Sequence, residues 1–203
     1  MSGVVGAPKG AVEQALSTFA AARGGSFRPH TTTTDNPNTL VLLENASKCS
    51  VLYPWGFLAW DEASQHLSTE LNVPVFSFHI HDEDLWMFVL FDRGKQVAQF
   101  NPLPEYWDDS ISVEDRAFWS GDAEAIALRI SSVSATAIKP YFKHWDFEDE
   151  NPGKAFPNDR FAYQDCWQLC DFMEKLGLNY PLDDAGAVLG STYEFVIRDP
   201  EDN

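Results

Sequence analysis

Between Val73 and Pro104 the chain contains three strand-like runs separated by two short turn-rich gaps. Residues 75–81 alternate between apolar and polar side chains, as a strand with one buried face does. Residues 85–91 are seven consecutive apolar residues, a run that is typical of a strand covered on both faces. Residues 96–100 form the third run. The pattern predicts an antiparallel three-stranded meander over 75–100 at the centre of a sheet.

Apolar positions at helical spacing predict helices before and after this meander. One helix is expected from Ala11 to Arg23, and another from its cap Asp61 to about Leu71. The further predicted elements are strands at 39–43 and 50–53, helices at 123–130, 135–144 and 163–176, and a strand at 192–197. The termini, 1–8 and 199–203, are expected to fray. We therefore predict a single α+β domain over 1–203, in which helices flank an antiparallel central sheet.

Composition and charge narrow the functional classes. Hydrophobic residues make up 44% of the 203 residues, including 15 Phe, 7 Trp and 6 Tyr, which is enough for a packed core. The formal net charge is −17, from 31 acidic and 14 basic residues. A surface of this sign repels phosphate backbones and anionic lipids, so we expect neither nucleic-acid nor membrane binding. It attracts a basic protein partner, although the same charge also serves solubility alone.

Three cysteines, Cys49, Cys166 and Cys170, do not form a disulfide framework, because their number is odd and no spacing repeats. The sequence has no run of 18 apolar residues and no signal-peptide pattern at its start. A cytoplasmic location is therefore expected. No phosphate-binding glycine motif occurs, and we predict no cofactor.

The densest set of potential metal ligands is His79, His81, Asp82, Glu83 and Asp84. On a strand the two histidines project from the same face, and imidazole pairs with a nearby carboxylate bind Zn²⁺ or Fe²⁺. The order superficially resembles the His-x-His-x-Asp-His motif of metallo-hydrolases, but Glu83 and Asp84 stand in place of its aspartate and its last histidine, and no further histidine is near in the sequence. A metal site at His79, His81, Asp82 and Asp84 is thus the alternative to a polar strand face that ends in an acidic turn.

Nucleophilic catalysis has weaker support. The chain has no Gly-x-Ser-x-Gly motif. A Cys-His pair of Cys166 with His144 and Asp165 is conceivable, but a cysteine flanked by Trp167 and Leu169 on a helix is more typical of a small core residue. We assign no catalytic residue.

Two segments combine aromatic and acidic residues, and interfaces are enriched in Tyr and Trp while acidic rims select basic partners. The alternative is that these aromatic side chains pack into the core. The candidate partner-binding residues are Tyr106, Trp107, Asp108, Asp109, Trp145, Asp146, Glu148, Asp149 and Glu150.

Residues 75–106, with the exit Phe100-Asn101-Pro102-Leu103-Pro104, and the segment 165–169 resemble a group of uncharacterised bacterial proteins without an assigned activity. The order helix, meander, helices in an acidic chain also resembles the SUKH superfamily, many of whose members are immunity proteins against secreted toxins. Trp55-Gly56 partly matches the Trp and Gly pattern of that superfamily. The resemblance implies a binding protein without catalytic residues.

The sequence therefore leads to two hypotheses from different classes. The first is a non-enzymatic acidic interaction protein, in the form of an immunity-type inhibitor of a basic toxin or nuclease. The second is a metal-dependent enzyme, a hydrolase or oxygenase, that uses His79 and His81 with a nearby carboxylate. An enzyme requires the two histidines to converge with a carboxylate in a pocket, whereas an inhibitor requires exposed acidic and aromatic side chains.

Overall fold

The computed structural model describes residues 1–30, 36–108 and 110–198. Within these residues the chain is a mixed helix and strand protein with an eight-stranded antiparallel sheet, which confirms the predicted fold class. The strands are β1 (Ser2–Val5), β2 (Ser26–Pro29), β3 (Thr39–Asn45), β4 (Lys48–Leu52), β5 (Pro74–His81), β6 (Leu85–Asp92), β7 (Lys95–Phe100) and β8 (Ser191–Val196).

The α-helices of the described residues are α1 (Lys9–Ala22), α2 (Trp60–Leu71), α3 (Val113–Phe118), α4 (Ala123–Arg129), α5 (Ala135–Ile138) and α6 (Gln168–Leu176). Two short 3₁₀ helices cover Pro104–Tyr106 and Lys139–Tyr141. None of these helices combines the length and the apolar character that crossing a membrane requires.

The strand order is β2-β8-β3-β4-β1-β5-β6-β7. The predicted meander is present as β5, β6 and β7, but it forms one end of the sheet rather than its middle. The reason is that β1 pairs with β5 on the side away from β6, and the sheet continues through β4.

Strand β1 corrects the expectation that residues 1–8 fray. All four of its residues are buried, and the strand is hydrogen-bonded to β4 on one side and β5 on the other. Its one polar side chain is satisfied, because the hydroxyl of Ser2 lies 2.7 Å from those of Tyr53 and Ser64. The predicted frayed tail at 199–203 lies outside the described residues.

Three predicted helices differ in extent. The helix expected over 135–144 is only α5 followed by a 3₁₀ helix, because Pro140 has no N–H for an α-helical hydrogen bond. The helix expected from Tyr163 begins at Gln168, after Gln164 adopts a left-handed conformation with φ of 71°. Helix α2 begins at Trp60, so Asp61 lies in its first turn and is not its cap. The negative charge of Asp61 there interacts favourably with the helix dipole.

By their contacts the residues group into two compact units. The first comprises Met1–Ser77, Phe91–Lys95 and the residues from Leu178 onward. Its core is formed by α1 and α2 together with residues of the strands β1, β3, β4 and β8. Helix α1 buries Val12, Leu16 and Phe19 at helical spacing, as predicted.

The second unit comprises Phe78–Leu90 and Gln96–Gly177. Its core is a cluster of rings, in which Phe172 of α6 stacks on Phe88 at 5.5 Å between centroids and lies 5.3 Å from Trp86. Phe100 and Phe142 complete this cluster. Within β6 the predicted burial is confirmed at Leu85, Trp86, Phe88, Leu90 and Phe91, whereas Met87 and Val89 are half-buried.

Candidate functional site

The candidate site lies in the second unit and begins at the turn between β5 and β6. The amide of Asp84 donates a 2.8 Å hydrogen bond to the carbonyl oxygen of His81. The two residues between them, Asp82 and Glu83, have φ of 48° and 63°. Positive φ at both central positions is the type I′ geometry, whose twist matches that of a hairpin. Asp is common at the first of these positions, but Gly is preferred at the second, so Glu83 adopts its conformation at some cost in backbone energy.

The two histidines of β5 lie on one face of the strand, as predicted. Their ring centroids are 5.9 Å apart, and Nε2 of His81 lies 3.4 Å from Oδ2 of Asp82. No group of three or more His, Cys, Asp or Glu side chains in the described residues is arranged to hold a metal ion. The structure therefore places His79 and His81 side by side, but among the described residues no third His, Cys, Asp or Glu side chain joins them in a metal-binding arrangement.

The ring of His81 instead packs against two aromatic side chains, Tyr106 and Trp107. The ring centroid of His81 lies 5.0 Å from that of Trp107 and 5.4 Å from that of Tyr106, in edge-to-face geometry. Tyr106 and Trp107 also pack edge-to-face, at 5.0 Å. Edge-to-face pairs are the favoured arrangement of aromatic rings. Packing on His81 therefore fixes the orientation of two side chains that remain accessible, Trp107 at 54% and Tyr106 at 36%.

The connector after β7 brings these two rings back to the turn. The side chain of Asn101 accepts a hydrogen bond from the amide of Leu103 at 2.9 Å, and the 3₁₀ helix Pro104–Tyr106 follows. The hydroxyl of Tyr106 then donates a 2.6 Å hydrogen bond to Oδ2 of Asp84. This hydrogen bond is the main reason why the pKa of Tyr106 is raised. The negative charges of Asp84 and Asp82 raise the pKa further.

Asp108 follows the aromatic pair and is exposed. It accepts hydrogen bonds from the hydroxyl and the amide of Ser110, at 2.6 and 2.9 Å, and these lower its pKa. The carboxylate is thus held in its charged form next to Trp107. We call the set Asp82, Asp84, Tyr106, Trp107 and Asp108 the aromatic–acidic surface. Asp109, the other predicted residue of this segment, lies outside the described residues.

The second predicted segment, 145–150, is divided between core and surface. Trp145 is only 5% exposed, and its amide donates a 2.8 Å hydrogen bond to the carbonyl oxygen of Pro102. The candidate role of Trp145 in binding a partner is therefore corrected, because its ring packs inside the protein. Phe147, which we did not single out, is exposed and packs edge-to-face on Trp145.

The acidic residues of this loop differ in their surroundings. Asp146, Glu148 and Glu150 are exposed, whereas Asp149 is half-buried and lies 4.0 Å from Nζ of Lys143. The side chain of Gln164 holds the loop in place by donating to the carbonyl oxygens of Asp146 and Asp149. The loop thus presents three of its four predicted carboxylates to solvent.

The surroundings of Cys166 disfavour the thiolate that a cysteine nucleophile needs. Cys166 is 3% exposed, and burial together with the carboxylates of Asp165 and Glu83 raises its pKa to about 11. Reactive cysteines have a lowered pKa, because the thiolate is the nucleophile. Cys166 is therefore a protonated core residue at neutral pH.

Comparison of the chain with protein-family models, with curated proteins and with solved structures gives no match.

Proposed function

We propose that this chain is a non-enzymatic acidic interaction protein that binds a basic protein partner through the aromatic–acidic surface. The observation that supports it best is the arrangement of Trp107, which is half exposed although its ring is fixed against His81 and Tyr106. An aromatic side chain that is already ordered loses little rotamer entropy on binding, which is the property of an interface anchor.

The negative charges near Trp107 indicate what kind of partner this surface binds. Asp84 accepts a hydrogen bond from Tyr106, and Asp108 follows Trp107 in the sequence. Asp82 lies 3.4 Å from His81, on which both rings pack. The whole chain carries a net charge of −17. An Arg or Lys side chain placed on the face of Trp107 gains a cation–π interaction and a nearby carboxylate. A basic protein is therefore the partner that this surface fits, and the acidic loop 146–150 extends the attraction during encounter.

The order of helices and strands in the sequence resembles that of SUKH-type immunity proteins, and this resemblance suggests what the interaction is for. An immunity-type inhibitor of a basic toxin or nuclease needs a preformed acidic and aromatic surface, and it needs no catalytic group. We infer that the chain blocks its partner by covering a basic surface of that partner.

The proposal is tested by affinity capture from the cells that make the protein, with a matched pair of tryptophan variants. Wild type, Trp107→Ala and Trp55→Ala are immobilised and compared at low and moderate salt. Trp55 is 96% exposed and belongs to the first unit, so its variant controls for the general loss of an exposed indole. We expect a basic protein that wild type and Trp55→Ala retain and that Trp107→Ala releases.

A captured protein is then purified and its affinity for the three forms is measured. Loss of an interface anchor lowers affinity by at least about 2 kcal/mol, or about 30-fold. If the partner has toxin or nuclease activity, wild type and Trp55→Ala should inhibit it at equal concentration and Trp107→Ala should not. Equal binding by all three forms would contradict the proposed surface.

A further inference from the structure

A second feature of the second unit, remote in sequence from the turn at Asp82, is the outer edge of β7. This strand is the last in the sheet order. On its outer side it forms one isolated bridge, Phe100 with Ser120, through hydrogen bonds of 3.0 Å at Gln99 and Asn101. Within the described part of the chain, no other strand pairs with this side of β7.

The chain leaves this edge directly after the bridge. Asp122 caps α4 by accepting a 2.8 Å hydrogen bond from the amide of Ala125, and the helix that follows turns the backbone away from strand geometry. Between β7 and residues 117–122 there remains an open groove of about 580 Å³. The bridge at Ser120 therefore begins a strand pairing that the chain itself does not continue.

The lining of the groove combines apolar and polar side chains. Val97, Ala98, Ala117 and Phe118 contribute apolar surface, and the ring of Phe118 is 66% exposed. Asp122 is the charged residue of the lining. This composition fits a chain that alternates between apolar and basic side chains.

Gln99 is a second, independent observation that points to a ligand in the groove. The residue is 4% exposed and lines the groove, and its amide nitrogen has no hydrogen-bond partner among the described residues. Its side-chain oxygen accepts a hydrogen bond from Gln96. A buried amide without an acceptor is costly and uncommon. A carbonyl oxygen brought into the groove would satisfy it.

We propose that this groove binds an extended, basic segment of another protein as an added β-strand along residues 96–100. Main-chain hydrogen bonds to the sheet edge supply affinity in this mode, and alternate side chains supply specificity. The apolar side chains of the segment pack on Val97 and Phe118, and a basic side chain meets Asp122. A second copy of this chain is disfavoured as the occupant, because two molecules with a net charge of −17 repel each other.

The probe for the test is a short acetylated and amidated peptide of alternating lysine and valine, titrated into the full ¹⁵N-labelled chain. The matched control is the same peptide with alternate backbone amides N-methylated, which keeps its charge and side chains but removes strand pairing. We expect the unmodified peptide to shift the amide signals of β7 and the side-chain amide of Gln99. We expect the N-methylated peptide to bind at least about tenfold more weakly.

Two variants locate the binding and separate it from folding. Gln99→Leu removes the buried amide without an acceptor, so we expect a higher unfolding midpoint together with weaker binding of the peptide. A purely structural role of Gln99 would leave the affinity unchanged. Phe118→Ala should also weaken binding, whereas Phe147→Ala, an exposed phenylalanine outside the groove lining, should not.

Three results would overturn the proposal. One is equal affinity for the two peptides, which would mean that charge alone holds them. Another is a set of shifts confined to the Trp107 indole and its neighbours, which would assign the peptide to the aromatic–acidic surface. The third is self-association of the free chain that protects the β7 amides from exchange, which would make a second copy the occupant.

Discussion

The hydroxyl of Tyr141 donates a 2.9 Å hydrogen bond to Oδ2 of Asp159, and both residues are buried. The same carboxylate accepts the amide of Phe156 at 3.0 Å and lies 3.4 Å from Nζ of Lys175. Asp159 thus connects the 3₁₀ helix, the loop before α6 and α6 itself. Because a buried charge is tolerated only when its hydrogen-bonding capacity is used, these three partners explain why an aspartate occupies this position.

We predict that Tyr141→Phe lowers the free energy of unfolding by about 1–3 kcal/mol, because the buried carboxylate loses one donor while the ring still fills its space. Chemical denaturation measures the change. Tyr106→Phe is the matched control, since its hydroxyl also donates to an aspartate but at the surface, and it should cost less. Equal losses in the two variants would contradict the role assigned to the buried hydrogen bond.

Tyr53 leads to a prediction for alkaline pH. Burial of its hydroxyl raises its pKa strongly in the folded protein. An unfolded tyrosine ionises near pH 10, whereas the folded Tyr53 keeps its proton. Above about pH 10 the unfolded state therefore binds fewer protons than the folded state, and stability falls as the pH rises. Urea midpoints on either side of this pH measure the fall, which should be shallower for Tyr53→Phe than for wild type.

The strand β6 supports a prediction about the core of the second unit. Replacing Trp86 or Phe88 by Ala should lower the free energy of unfolding by about 3–5 kcal/mol, because each side chain is fully buried among other rings. Phe118→Ala is the control, and as an exposed site it should change stability by less than about 0.5 kcal/mol. Losses below about 1 kcal/mol at both buried sites would contradict the packing described for β6.

These elements show which parts of the fold the sequence predicts. The meander was predictable because alternation over 75–81 and an unbroken apolar run over 85–91 are strong local signals. Strand β1 was not, since Ser2–Val5 is short and begins with two small residues. Its place between β4 and β5 depends on pairings with residues far along the chain, which no local pattern encodes.

The candidate site was predictable only in part, for a related reason. The alternation of β5 places His79 and His81 on one face, and that prediction is confirmed. The contact of His81 with Trp107 joins residues far apart in sequence. Trp107 and Trp145 occur in similar aromatic and acidic segments, yet one is exposed and the other is buried. Composition does not distinguish them, because burial is decided by how the connector after β7 packs.

The histidine pair leads to a prediction about metal content. We expect the purified protein to hold no stoichiometric transition metal, because the sequence offers no further histidine close to the pair. Elemental analysis measures this directly. Near one zinc or iron per chain, lost when both His79 and His81 are changed to Ala, would contradict the prediction and support the metal-dependent enzyme hypothesis.

The last prediction concerns the acidic loop and the rate of binding. Changing Asp146, Glu148, Asp149 and Glu150 to their amides should lower the association rate with the basic partner and leave the fold intact. Asparagine keeps the side-chain oxygens that accept the amides of Glu148 and Asn151, so the loop retains its turns. The substitutions therefore remove charge with little change in shape. Stopped-flow or surface-binding kinetics measure the effect.

A control variant removes charge elsewhere. Glu70→Gln with Asp184→Asn changes two exposed acids of the first unit, and we expect a smaller loss of association rate for each charge removed than in the loop variant, which loses four. Raising salt from low to moderate should slow association of wild type by about tenfold or more, since exposed charges are screened beyond about 8–10 Å. The loop variant should be less sensitive to salt, because part of the attraction that salt screens has already been removed. If the association rate with a verified partner changes neither with salt nor with these substitutions, the net charge serves solubility alone. The inhibitor hypothesis in this form is then wrong.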